Sequence, residues 1–271
     1  MSWIPPGPAI LFCPADRPER YPKAADRADA VIVDLEDAVA PPDKAAARRA
    51  MVEHPLDPSR TIVRVNATGS ADFAEDVRAL ADTDYRAIML AKTEHPDQLD
   101  ELDHEVIALI ETPMGALRAA DVAAHARCVG LMWGAEDLVA AMGGRSSRSP
   151  DGTYRDVALH VRSTVRLAAA AHGRLAFDAV HIDIADLDGL REEALDAMAL
   201  GYDGTACIHP SQVAVVRAAY APTDDEVDWA HEVLDAERGS HGVFSVRGRM
   251  IDAPLLAQAR AVLRRIPAES A

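Results

Sequence analysis

Short apolar runs alternate with amphipathic stretches along most of the chain. The runs are Ala9–Cys13, Ala30–Leu35, Thr61–Val65, Ala87–Ala91, Val106–Ile110, Cys128–Trp133, Ala179–Ile182 and Thr205–Ile208. Each is brief and rich in Val, Ile, Leu or Met, the pattern of strands buried on both faces. Helical spacing fills the gaps over Pro18–Arg27, Asp43–Glu53, Ala71–Ala81, Pro96–Leu102, Pro113–Ala126, Glu136–Met142, Leu187–Ala199 and Pro210–Ala219. Pro18, Pro96, Pro113 and Pro210 stand near helix starts, where a missing N–H costs nothing. Asp43 and Asp186 are placed to cap helices. Strand–helix units repeated in this way predict an α/β fold, a (β/α)8 TIM barrel, for which roughly 250 residues is typical. A doubly wound open sheet is the alternative, but it usually has fewer strands, and no GxGxxG follows the first run.

Tyr154–His172 reads as one extra helix inserted after the sixth unit. The barrel is expected to occupy residues 1–222. A C-terminal extension, 223–271, follows: a helix over Asp224–Arg238, a hairpin around Val243–Met250 and a helix over Pro254–Arg264. It is too short to fold alone and is expected to pack on the barrel or on a neighbouring subunit.

In such barrels the chemistry gathers where strands end. The runs lead into Asp16-Arg17, Asp34-Leu35-Glu36-Asp37, Arg64 and Asn66, Lys92, Glu111, Glu136-Asp137, Asp183 and His209. Charged or hydrogen-bonding groups thus close every run. Glu111 and Asp137, from neighbouring units, suit a hard octahedral cation such as Mg2+ better than zinc; the plainer alternative is that each caps the helix that follows it. Arg64 lies inside an apolar run, where an unpaired guanidinium is costly. Its fork matches a carboxylate or enolate oxygen, unless it serves only as an ion pair for Glu36 or Asp37. Glu36 and Asp37 are expected to support the site by holding Arg64 and Lys92, because direct ligation by all the acids would over-neutralise one Mg2+. Arg17, Arg20, Lys23 and Arg27 form either a phosphate-binding cluster or, with the acids between them, a solvated helix face.

Composition narrows the function. Ala supplies 53 of the 271 residues, so helices should be many and closely packed. The formal charge of −16 argues against nucleic acid and anionic lipid as partners, though a local basic patch still admits a small anionic substrate. No apolar stretch approaches the ~18 residues of a membrane span, and the opening residues, which lack a basic region followed by an apolar core, are not expected to act as a secretory signal. Cys13, Cys128 and Cys207 are too far apart to suggest a disulfide framework or zinc site, and read as core residues of a cytoplasmic protein. The histidines lack HExxH spacing, and Gly143–Arg148 lacks the P-loop Gly-Lys-Ser/Thr.

Several segments together resemble one family. They are Phe12-Cys13-Pro14-Ala15-Asp16-Arg17-Pro18-Glu19-Arg20, Asp34-Leu35-Glu36-Asp37-Ala38-Val39, Arg64-Val65-Asn66, Leu109-Ile110-Glu111-Thr112, Gly134-Ala135-Glu136-Asp137-Leu138 and Cys207-Ile208-His209-Pro210-Ser211-Gln212. In content and order they are similar to the citrate lyase β-subunit-like proteins, which stand with the malyl-CoA and citramalyl-CoA lyases in the HpcH/HpaI aldolase superfamily. The resemblance spans about residues 9–252 and is greatest to short, stand-alone actinobacterial members.

The resemblance implies a (β/α)8 barrel, trimeric or hexameric, that makes or breaks a C–C bond in a CoA thioester with Mg2+, an oxo acid being the other product. By motif, Glu111 and Asp137 resemble the metal ligands. Arg64 resembles the residue that binds the substrate's carboxylate or oxo group, with Glu111 beside it. Gly134 and Ala135 resemble backbone donors to the 2-oxo acid, and Phe12, Arg17 and Lys23 resemble contacts to CoA. Asp252, within Met250-Ile251-Asp252-Ala253-Pro254, matches an acid that reaches an adjacent subunit's site. The expected substrates are citramalyl-, malyl-, citryl- or HMG-CoA-like thioesters. Other readings are an acyl-CoA thioesterase at the same site, an acyl-carrier-dependent citrate lyase β subunit, a 2-oxo acid aldolase that ignores CoA, and a non-catalytic scaffold.

Overall fold

The computed structural model describes residues 2–239 and 242–266. Among them, parallel strands β1 (Ala9–Pro14), β2 (Ala30–Asp34), β3 (Thr61–Val65), β4 (Ala87–Leu90), β5 (Glu105–Ile110), β6 (Cys128–Trp133), β7 (Leu175–Asp178) and β8 (Gly204–Cys207) pair in sequence order. β1 pairs with β8 and closes the barrel. Ile10, Ile32, Ile62, Met89, Leu109, Met132 and Phe177 fill its interior, and Trp3 from the N-terminal segment joins the same apolar cluster. The expected TIM-barrel class is the one observed.

Outside the strands run α1 (Tyr21–Arg27), α2 (Lys44–Glu53), α3 (Ala71–Leu80), α4 (Pro113–Leu117), α5 (Ala119–Ala124), α6 (Ala135–Ala141), α7 (Asp156–Ala171), α8 (Leu187–Leu200) and α9 (Pro210–Tyr220). Their buried positions are largely alanine, as at Ala47, Ala123, Ala158, Ala169, Ala194 and Ala197. Small side chains let helices lie close to the sheet, which is where the high Ala content goes. The extra helix after the sixth unit is α7. No helix among the described residues is long and apolar enough to cross a membrane.

The pattern misplaces some elements. The seventh strand is Leu175–Asp178; the expected run 179–182 is irregular chain beyond it. The residue that ends this strand is therefore Asp178, not Asp183. A carboxylate can end a buried strand here because Arg162 of α7 grips it through Nε at 3.0 Å and Nη2 at 2.9 Å, and Trp133 Nε1 donates at 2.6 Å. Pro96–Glu101 forms only a 3-10 turn, and the stretch from Pro113 breaks at Arg118 into two short helices. Asp186 caps α8, accepting from Gly189 N at 2.9 Å. Asp43 does not act as a cap: it has helical dihedrals at the end of a 3-10 turn, and its side chain makes no capping bond.

The chain divides into two compact units, Met1–Arg217 and Ala218–Ala271. The second holds α10 (Asp224–Arg238), the antiparallel hairpin β9 (Phe244–Val246) and β10 (Arg249–Ile251), and α11 (Ala253–Arg264). Thr223 and Glu226 cap α10 reciprocally. Ala230, Val233, Ile251 and Ala259 form this unit's small apolar core.

Candidate active site

Where the strands end, the barrel opens into a cavity of about 280 Å3, lined by residues of the first unit. Arg64 crosses it from β3. The register sets Arg64 directly beside Asp34 of β2. Their forks meet, with Nε to Oδ1 at 2.7 Å and Nη2 to Oδ2 at 2.5 Å. Arg64 Nη1 lies 3.0 Å from Glu36 Oε2. Burial opposes the guanidinium's charge, but Asp34 and Glu36 hold it firmly protonated. Of its five N–H donors two are hydrogen-bonded to Asp34, and Nη1 makes only an ion-pair contact with Glu36, so donors on both terminal nitrogens remain for a ligand. The Arg64 ion pair thus has Asp34 as its main partner, with Glu36 second and no contact to Asp37.

The chain after β2 is built to hold Asp34 and Glu36 in place. Asp34 also accepts from the N–H groups of Glu36 at 2.9 Å and Ala38 at 3.2 Å. The buried Lys44 of α2 donates to Leu35 O, Glu36 O and Asn66 Oδ1 at 2.8, 3.0 and 2.8 Å. Asn66 in turn donates to the fully buried Asp76. Such saturation lets charged groups stay inside a barrel mouth.

Glu111 follows β5 and is buried. It caps nothing: Thr112 caps α4, accepting from Gly115 N at 3.1 Å. Instead Glu111 Oε1 accepts from the main-chain N–H of Lys92 at 2.9 Å. Burial, then the charge of Asp137, pushes its carboxyl up to about 8. Asp137 sits in the first turn of α6, partly exposed, and is no cap either, since Gly134 holds that position. The Lys92 ammonium approaches both acids, 4.0 Å from Glu111 and 3.6 Å from Asp137. The pair therefore already stands around a positive charge. Among the described residues no group of three or more His, Cys, Asp and Glu side chains converges for a metal. Two carboxylates, with remaining positions left to water or substrate oxygens, fit Mg2+ and not a closed zinc site.

Gly134 has a steric role. A Cβ there would lie 2.9 Å from both Cβ and Oε2 of Glu111. Gly134→Ala is expected to push the carboxylate aside, lowering kcat/KM about tenfold and stability by about 1–2 kcal/mol; steady-state kinetics and thermal melts check both. The Gly134 N–H already donates to Ile110 O at 3.1 Å. Of the two expected backbone donors, then, only Ala135 is available: it opens α6, where N–H groups lack an intrahelical acceptor.

Phe12 lines the cavity beneath Arg64, whose guanidinium carbon lies 4.9 Å from the ring centre. Arg17 and Lys23 are exposed near the end of β1 and outside the cavity lining; Arg17 comes within 3.7 Å of Asp16. Asp252 belongs to the second unit, where it caps α11 and accepts from Leu255 N at 3.4 Å. Burial pushes the Cys13 and Cys128 thiols up to about 11 and Cys207 to about 12, so none is a ready nucleophile. Sequence reasoning missed Lys44, which reads as an ordinary helix start, and Trp133, the last residue of an apolar run, which lines the cavity.

This chain belongs to the HpcH/HpaI aldolase/citrate lyase family, whose model matches residues 9–210. Over 260 residues it is 58% identical to the citrate lyase subunit beta-like protein of Mycobacterium tuberculosis, covering 96% of this chain and 95% of that one. It is 32% identical over 278 residues to the (3S)-malyl-CoA thioesterase of Cereibacter sphaeroides, covering 97% and 95%. The crystal structure of Mycobacterium tuberculosis CitE in complex with magnesium, acetoacetate and coenzyme A superposes with a TM-score of 0.91, at 58% identity over 96% of this chain and 97% of that chain.

Proposed function

We propose that this chain is a Mg2+-dependent carbon–carbon lyase that cleaves a 3-hydroxyacyl-CoA thioester into an acyl-CoA and an oxo acid. The observation that carries this reading is the gathering of Arg64, Glu111 and Asp137 in the lining of one cavity. The lyase and Mg2+ assignments draw further support from the family and from the magnesium and coenzyme A bound by CitE.

Glu111 and Asp137 are the residues that hold the cation, which when bound supplies Lewis-acid polarisation of the acid end of the substrate. The uncommitted N–H groups of Arg64 receive the substrate oxygen on which charge develops. Ala135 N–H offers a further donor to the oxo acid carboxylate. As the hydroxyl gives its proton to water, its oxygen becomes the new carbonyl, the C–C bond breaks and its electron pair passes into a thioester enolate; water returns a proton to the Asp252 carboxylate. We assign to Asp252 the proton that returns to the enolate carbon. Phe12 in the cavity lining and the exposed Arg17 and Lys23 that follow β1 in the chain are assigned to CoA, with its phosphates outside. Glu36 and Asp37 keep Arg64 and Lys92 in place.

We assign a homotrimer or hexamer in the cytoplasm, with residues 223–271 packing on a neighbour and carrying Asp252 to its site. Mixing Asp252→Ala chains with Arg64→Ala chains is then expected to restore up to about a quarter of wild-type activity, the share of random interfaces with both residues intact. No recovery in verified mixed oligomers would sink the shared site.

The activity test is incubation with Mg2+ and a panel of citramalyl-, malyl-, citryl- and HMG-CoA-like thioesters, with mass spectrometry of the products. A shorter acyl-CoA and an oxo acid are expected. The malyl-CoA thioesterase relative favours one second reading, hydrolysis at the same site with Asp252 activating water; free CoA and the intact hydroxy acid would identify it. An unchanged panel would refute both activities on free thioesters.

A further inference from the structure

We propose that Lys92 is a positioning residue that sets how tightly the barrel mouth holds its divalent cation. Its main chain orients one ligand, and its ammonium competes for the ligand pair. The inference rests on the reading of Glu111 and Asp137 as the cation's ligands.

Two independent features single out Lys92. The first is its backbone. Its φ of +51° lies in the left-handed region, and among the described residues the only other non-glycine there is Arg247. A side chain makes this conformation unfavourable, and it persists only where the surroundings enforce it. Here the next residue is locked: Thr93 is buried, its N–H donates to Leu109 O at 3.1 Å, and its Oγ1 donates to Leu90 O at 2.8 Å. The enforced turn aims the Lys92 N–H at Glu111 Oε1. This fixes which way the buried carboxylate faces.

The second feature is the place of the ammonium. It pairs closely with Glu36 and stands 3.5 Å from Asp37, 3.6 Å from Asp137 and 4.0 Å from Glu111. No other Lys or Arg side chain is within salt-bridge distance of Asp137 among the described residues. One partly exposed cation is thus shared by carboxylates from the chain after β2, the end of β5 and the first turn of α6. A divalent ion bound to Glu111 and Asp137 must meet this charge at short range, and Coulomb repulsion at such distances is substantial even at high effective dielectric. Glu36 and Asp37 give the ammonium somewhere to remain when it yields the other two acids. Lys92 therefore weakens cation binding and keeps the ion exchangeable.

The test is calorimetric titration of Mg2+ into the full-length protein at pH 8.5, using wild type, Lys92→Gly and Lys92→Met. Glycine suits the positive φ and keeps the N–H; methionine keeps the stem and removes only the charge. The Kd for Mg2+ is expected to fall roughly tenfold in Lys92→Gly, with a parallel fall in Lys92→Met supporting the same conclusion. Structural damage would weaken binding, so tightening separates the two causes. An unchanged or higher Kd in Lys92→Gly overturns the role of Lys92 while leaving the ligand assignment intact. Absence of Mg2+ binding in wild type and variants alike overturns both.

Discussion

Arg64→Lys is expected to lower kcat/KM by roughly 10²–10³-fold, the loss seen when a preorganised donor to developing charge is removed. A lysine keeps the positive charge but not the fork. In the native site Nε and Nη2 engage Asp34, Nη1 faces Glu36, and the outer N–H groups remain for the ligand. A single ammonium cannot satisfy both oxygens of the buried Asp34 and also reach the cavity. It will stay with Asp34, because leaving that carboxylate unpaired costs more than losing the ligand contact. The loss should therefore appear in kcat. Stability should fall by about 2 kcal/mol, the scale of charge-assisted hydrogen bonds forgone, which leaves a folded protein by circular dichroism. Near-normal kcat with a raised KM would reduce Arg64 to a binding residue.

The sequence makes the barrel plain because parallel strands buried on both faces are short continuous apolar runs, and these runs need no tertiary information to be seen. Where two such runs adjoin, the pattern has no means of choosing. Residues 175–178 and 179–182 are both mostly apolar; the strand is the one ending in Asp178, and what makes that acid tolerable is Arg162, on the preceding helix. The same limit applies to the site. Arg64 is conspicuous as a charge inside an apolar run, but its partner depends on register. Asp34 and Arg64 are aligned across neighbouring strands, whereas spacing alone leaves Glu36 and Asp37 equally eligible. The left-handed turn at Lys92 leaves no local trace, since lysine has no preference for it; packing around Thr93 imposes it. The status of Glu111 and Asp137 as caps or cavity acids was settled by details such as Thr112 taking the capping role.

Glu111→Gln is expected to abolish Mg2+-dependent turnover, by about 10³-fold or more, while leaving the fold as stable as wild type or slightly more so. The two effects have opposite signs for a physical reason. The Gln amide has the same shape, its oxygen can still accept from Lys92 N–H, and it bears no charge. Burial already disfavours the Glu111 carboxylate, and Asp137 adds repulsion, so neutralising it relieves the folded state. On the proposed assignment the cation, by contrast, loses half of its protein carboxylates and the buried one of the pair. Thermal melts with and without Mg2+ separate the effects. Wild type should gain about 2.7 kcal/mol when Mg2+ is at a hundred times its Kd, and Glu111→Gln should gain little at the same concentration. Asp137→Asn should behave similarly, with a smaller stability gain because that side chain is more exposed. Wild-type turnover that persists in excess EDTA would remove the cation from the reaction and return both acids to a structural role.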